Sequence, residues 1–170
     1  MSSTFKNQFK AAILQGEGIP NYPAITPQEI QKHIPILLKE LHRDLIGLEE
    51  MLQEKLSRKE QISWNQIMTP LHSLGEKLRW SWGVVCHLNA VRNSEDLREA
   101  HSIQQPEVIR FGNRLGQSKV IHTALCSLKE RPAKQLNPTQ KRILNSELLA
   151  MHQRGVGLDA VSQESFNKSS

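Results

Sequence analysis

Residues 26–57 read TPQEIQKHIPILLKELHRDLIGLEEMLQEKLS, and this stretch decides the fold class. Thr26 offers a side-chain oxygen to the first free N–H groups of a helix. Pro27 takes the first helical position, where its missing N–H is not needed, and Glu29 stands where a capping box places its returning acid. Pro35 has no N–H and crowds the preceding turn, so a kink is expected there. Beyond it Leu37, Leu41, Leu45, Leu48, Leu52 and Leu56 recur at steps of three and four, a stripe along roughly 30 Å of helix. The repeat is too short to require a coiled coil, so it predicts a helix packed inside a domain.

Downstream the same grammar returns. Ser63-Trp64-Asn65-Gln66 is a second helix start, and Pro70 is expected to bend this second helix. Trp64, Ile67, Leu71, Leu74, Leu78, Trp82, Val85 and Leu88 mark a broad apolar face, with Trp80 and Val84 beside it. This helix is expected to be the most buried element. Asn93-Ser94 stops it, and Ser94 caps a third helix carrying Leu97 and Ala100. Pro106 is expected to divide that helix. Ile109, Leu115, Val120, Ile121, Leu125 and Leu128 then continue to Arg131-Pro132. Gly112 and Gly116 weaken the run by up to ~1 kcal/mol each unless a neighbour packs closely there. Asn137-Pro138-Thr139-Gln140 starts a helix with Ile143, Leu144, Leu148 and Met151, ending near Gly155.

Upstream, Phe5, Phe9, Ala12 and Ile13 have helical spacing, but Gly16, Gly18, Pro20 and Pro23 end any helix there. Ile19, Tyr22 and Ile25 are expected to pin this arm to the body. Val161 to Ser170 is nearly free of apolar residues. Nothing alternates at period two for long. The chain therefore reads as all-α, kinked antiparallel helices forming one domain. Its expected division is an N-terminal arm over 1–25, a helical domain over 26–158 and a disordered polar tail over 159–170.

The 170 residues suffice for one domain that removes roughly 70% of its extended-chain surface from water. That excludes a disulfide-held miniprotein and a full (β/α)₈ barrel. The net charge is +5, but basic residues are interspersed with acids, as on solvated helix faces. A nucleic-acid binder concentrates them instead, so no specific nucleic-acid partner is expected. Cys86 and Cys126, distant in sequence, fit a reducing compartment. No secretory signal is legible at the N-terminus and no apolar run reaches membrane-spanning length. The expected location is cytoplasmic.

Seven histidines invite a search for metal. The helical zinc motif His-Glu-x-x-His puts two imidazoles on one face beside a carboxylate, and none of the seven is followed by Glu. The best remaining pairs, His122 with Cys126 and His72 with Glu76, share a face at i,i+4 but give two ligands only. Cys86, His87 and Asn89 are the ingredients of a thiol nucleophile. Adjacent helical residues diverge by about 100°, however, so Cys86 reads as a small buried hydrophobe. Gly155-Val156-Gly157 follows a helix and reads as its C-terminal turn, not a phosphate cradle. Trp80 and Trp82 around Arg79 read as packing residues rather than a stacking platform. No residue is assigned a catalytic, cofactor-binding or metal role.

The stretch Trp82-Gly83-Val84-Val85-Cys86-His87-Leu88-Asn89-Ala90-Val91-Arg92-Asn93-Ser94-Glu95-Asp96-Leu97-Arg98-Glu99-Ala100 resembles the N-terminal helical region of the oligopeptidase A family, relatives of thimet oligopeptidase and neurolysin. Gly18-Ile19-Pro20 through Ile25-Thr26-Pro27-Gln28-Glu29-Ile30 resembles the family's opening. Ser63-Trp64-Asn65 with Thr69-Pro70-Leu71, and Leu136-Asn137-Pro138-Thr139-Gln140-Lys141-Arg142-Ile143-Leu144, follow in the family's order. The resemblance extends over residues 16–158. The resemblance implies two helical lobes around a channel in enzymes several times longer. Their zinc motif lies far downstream, and the present region shapes one lobe and access to the channel.

What the resemblance implies is a non-catalytic N-terminal lobe from a truncated or split gene, inactive alone and without a cofactor of its own. Its expected partner is a separately encoded catalytic portion, or a second copy. The alternative is a free-standing helical module that binds a protein through an exposed Trp/Leu face.

Overall fold

A computed structural model describes residues 11–130 and 136–168. Phe5, Phe9 and the helix end expected at Arg131-Pro132 lie outside them. The described residues are all-α, with six helices and no strand among them: α1 Pro27–Ser57, α2 Trp64–Arg92, α3 Glu95–Gly116, α4 Lys119–Lys129, α5 Pro138–Gln153 and α6 Ala160–Lys168. Two short 3-10 turns, Ala12–Leu14 and Tyr22–Ala24, precede them.

The helix starts follow from side-chain chemistry. Ser63 and Gln66 exchange reciprocal hydrogen bonds, the Ser63 N–H donating to Gln66 Oε1 (2.8 Å) and the Gln66 N–H to Ser63 Oγ (3.4 Å). Asn137 and Gln140 do the same at α5, with Pro138 in the first turn. At α1 the Glu29 N–H donates to Thr26 Oγ1 at 3.2 Å. The Glu29 carboxylate, expected to turn back, instead pairs with His33 Nδ1 at 3.0 Å. Ser94 caps α3 through the Leu97 N–H. Asn93 ends α2 in the left-handed region (φ 44°), where its short polar side chain costs less than most. The Arg98 guanidinium holds it there by donating to both its carbonyl and its side-chain oxygen.

The prolines do not divide the helices. Pro35, Pro70 and Pro106 all lie inside continuous helices. The break after α3 falls at Gln117-Ser118, where the Ser118 hydroxyl accepts the Ile121 N–H and starts α4. A hydroxyl that rewards a new helix start ends the run where no proline stands.

The described residues pack as two compact units, drawn from Met1–Arg43 with His72–Ile109, and from Asp44–Leu71 with Arg110–Ser170. The leucine stripe gives no hint of this division, because Leu41, Leu45 and Leu48 continue past Arg43 without interruption and all are buried. In the first unit Ile13, Ile25, Ile30, Ile34, Leu41, Val85 and Ala100 are core; in the second, Leu45, Leu52, Ile67, Phe111, Ile121 and Leu125.

Three expectations about packing are corrected. α1, not α2, holds more of the fully buried large side chains, because Trp64, Trp80 and Trp82 are only half-buried. Positions 80 and 82 lie about 200° apart on a helix, so they cannot share one core face. In α3 the inward row is Leu97, Ala100, Gln104, Val108 and Phe111, while Ile109 faces out. Gln104, 5% exposed, interrupts that row with a polar residue and disguises it. Finally, residues 160–168, read as a disordered tail, form α6. Asp159 caps it, its carboxylate accepting both the N–H (2.9 Å) and the hydroxyl (3.1 Å) of Ser162. The Gln163 amide donates to the Gly155 carbonyl (3.0 Å), and the Gln117 and Asn167 side-chain amides bond reciprocally. Polar docking of this kind leaves no apolar period to read in the sequence.

In the arm, Ile25 is buried as expected and Tyr22 rests on the His87 ring, centroids 5.5 Å apart. Ile19, expected to pin the arm, is 87% exposed. Ile13 is buried in its place, and Trp80 Nε1 holds the segment by donating to the Gly18 carbonyl at 3.3 Å.

Candidate functional site

The first unit brings one chemically interesting group together, on α2 and α3. Trp82 and Cys86 stand one helical turn apart on α2, and His101 approaches from α3. Cys86 Sγ lies 3.7 Å from His101 Nε2, within hydrogen-bonding range for sulfur. The His101 ring stacks on Trp82, with centroids 4.8 Å apart and 23° between planes. The stack fixes the ring, so its nitrogen stays aimed at the sulfur. Cys86 reaches the surface, which corrects its reading as a buried hydrophobe. Even so, partial removal of water pushes its thiol above the ordinary value, only partly countered by a backbone hydrogen bond. A thiol so protonated is a poor nucleophile. The arrangement holds a thiol–imidazole hydrogen bond; it is not tuned for covalent catalysis.

The pairs singled out by spacing fare differently. Cys126 Sγ is 3.9 Å from both Nδ1 and Nε2 of His122. A sulfur equidistant from both nitrogens lies along the lone pair of neither, so this pair packs without being able to chelate. His72 and Glu76 are both exposed, and the Glu76 carboxylate accepts from Arg79 at 2.7 Å instead. Trp80 turns to the arm and Trp82 to His101, so no stacking platform forms around Arg79. Gly155 has φ 80°, with the Val156 N–H donating to the Met151 carbonyl, the helix-ending turn that its position implied. Sequence spacing could not reveal Cys86–His101, because its members are fifteen residues apart on different helices. Among the described residues no three or more His, Cys, Asp or Glu side chains come together to hold a metal ion. No helix among them is long and apolar enough to cross a membrane.

A second polar centre lies in the other unit. Glu49 of α1 accepts two hydrogen bonds from the Arg114 guanidinium and one from the Ser118 hydroxyl. Burial raises its pKa, but the bonds from Arg114 and Ser118 and the Arg114 charge outweigh this and leave it below the usual carboxylate value. An acid held ionised by three donated hydrogen bonds is a structural tie.

Comparison with known proteins gives the region its identity. Residues 34–163 match the neurolysin/thimet oligopeptidase N-terminal domain. The chain is 29% identical over 157 residues to the probable cytosolic oligopeptidase A of Arabidopsis thaliana, covering 92% of this chain and 21% of that protein. It is likewise 29% identical to the organellar (chloroplastic/mitochondrial) oligopeptidase A of the same plant, covering 92% and 19%. With oligopeptidase A of Haemophilus influenzae the identity is 24%, over 92% and 22%. The chain thus spans about a fifth of the length of the curated relatives it matches. The chain belongs to the neurolysin/thimet oligopeptidase N-terminal domain family, and no His-Glu-x-x-His motif occurs in its 170 residues.

Proposed function

We propose that these residues act as the helical lobe beside the peptide channel of an oligopeptidase A-type enzyme. They complement a zinc-bearing catalytic portion encoded outside the 170 residues. The observation that carries this reading is the match over residues 34–163 to an N-terminal domain, in a chain without the metal motif. Its role is to shape access for peptides and to stabilise the catalytic portion by covering it. The cytoplasm is the proposed location, by likeness to the cytosolic relative.

The test is complementation. The purified chain is mixed with the catalytic remainder of an oligopeptidase A, and complex formation and hydrolysis of a fluorogenic peptide are measured. A complex with raised hydrolysis is expected; no complex and no change would remove the proposal.

One observation favours a second reading, a module that binds another protein. Ile19 stands out between Gly18 and Pro20 while Trp80 and His87 hold the segment around it. A firmly presented apolar tip is a ready contact for a partner. Recovery of an unrelated protein, lost on Ile19→Ser substitution, would favour it.

A further inference from the structure

We propose that the outward face of α5 is the surface through which the lobe docks onto an acidic patch of the catalytic portion. The inference rests on the lobe reading above and names the face and the chemistry of the contact. Among the residues of α5 that reach solvent are Lys141, Arg142, Asn145, Ser146, Leu149 and His152. They recur at steps of three and four and so share one side of the helix. No carboxylate stands among them. Glu147, the sole acid of α5, lies about 140° around the helix from Arg142. Leu149 stands out of this basic face, 56% exposed.

The positive charge of the chain is concentrated in this part of it. Residues 110–154 hold nine Lys and Arg against two acids, an excess larger than the whole chain's +5. The interspersion of basic residues with acids, which holds upstream, fails here. Other acids of the same unit are committed: Glu49 to Arg114, Glu54 to Arg58 and Glu60 to Lys55. Lys141 and Arg142 meet no carboxylate among the described residues. They also lie close to the N-terminal end of α5, where the helix dipole disfavours cations, and no acid stands in the first turn. The helix itself gains nothing from them. Carboxylates brought by a partner would.

Charge and shape choose among the occupants. A second copy meeting this face with its own would bring like charge and be repelled. A phosphate backbone would neutralise the cations but offer Leu149 no apolar contact. A lipid surface takes a helix with a full apolar stripe, and α5 spends its stripe on its own core at Leu144 and Met151. A protein surface supplies carboxylates and an apolar pocket together. About four-fifths of each matched relative lies outside the aligned part, ample chain to present one.

The full chain is titrated into the catalytic remainder of an oligopeptidase A by calorimetry, at about 50 and 500 mM NaCl. Wild type should bind at least tenfold more weakly at the higher salt. Lys141→Glu with Arg142→Glu should weaken binding at least tenfold at the lower salt and remove most of the salt dependence. Leu149→Ser should weaken it at least threefold at both. Lys32→Glu with Lys39→Glu, an equal change of charge at exposed positions of α1, should shift it less than twofold. Acids near the start of α5 favour the helix, so the α5 charge pair should unfold no earlier than wild type, which separates lost binding from lost fold. A complex that both α5 variants leave unchanged, or that the α1 pair weakens equally, overturns the docking face and leaves the lobe reading standing. Absence of a wild-type complex overturns both. Tighter binding to duplex DNA or anionic vesicles than to the catalytic remainder overturns the choice of partner.

Discussion

The Ser118 hydroxyl donates to the Glu49 carboxylate at 2.5 Å while accepting the Ile121 N–H at 3.3 Å. One side chain thus ends the α3 run, starts α4 and ties both to α1, and Arg114 completes the tie through the same carboxylate. Ser118→Ala removes the cap and leaves Glu49 one donor short. A loss of about 1–2 kcal/mol is expected in denaturant unfolding. Ser118→Thr keeps the hydroxyl and should recover much of it.

Glu49 also makes a pH prediction. Its folded pKa lies below the unfolded value of 4.5. Its stabilisation is therefore complete above pH 4.5 and is lost as pH falls through the lower folded value. Unfolding midpoints of Glu49→Gln measured between pH 7 and 3 should converge on wild type at the acid end. A constant gap would show that the charge is immaterial.

The glycines divide by geometry. At Gly155 φ is 80°, and an added Cβ would stand 2.7 Å from Leu158 Cδ1. Gly155→Ala should cost about 1–2 kcal/mol, a fall of roughly 2–8 °C in Tm. Gly75 lies inside α2 with nothing within 4 Å of such a Cβ. Gly75→Ala should raise stability by about 0.5–1 kcal/mol.

Trp80→Phe keeps an aromatic ring but removes the donor to the Gly18 carbonyl. Backbone amides between Gly18 and Ile25 should exchange several-fold faster with deuterium, while global unfolding shifts by no more than about 1 kcal/mol. Unchanged exchange would mean that Ile13 and Ile25 alone hold the arm.

On α1, Leu41 and Leu52 are fully buried and Ile46 is half exposed. Truncating either leucine to Ala should cost about 2–5 kcal/mol. Ile46→Ala should stay within about 0.5 kcal/mol. Chemical denaturation separates the two classes.

Much of this was written locally. Ser63/Gln66 and Asn137/Gln140 announce their helices because a cap needs only neighbours in sequence, and the leucines of α1 announce their buried face by period. What stayed hidden depends on distant partners. Gln104 masks the inward row of α3, α6 docks through amide side chains, and the Ser118 break is stabilised by a carboxylate 69 residues away. The Cys86–His101 pair belongs to the same class, since two helices must meet before its members do. Spacing also says nothing of competing partners: Glu76, one turn from His72, is taken by Arg79.

The caps have an effect on acid response. Thr26, Ser63/Gln66, Ser94, Ser118 and Asn137/Gln140 are uncharged, so protonation leaves these helix starts their acceptors. Asp159, whose pKa is held down chiefly by the Ser162 N–H and hydroxyl, is the exception. Acidification therefore works selectively: it weakens the Glu49 junction and the Asp159 cap of α6, while the uncharged caps of α1, α2 and α5 keep their acceptors.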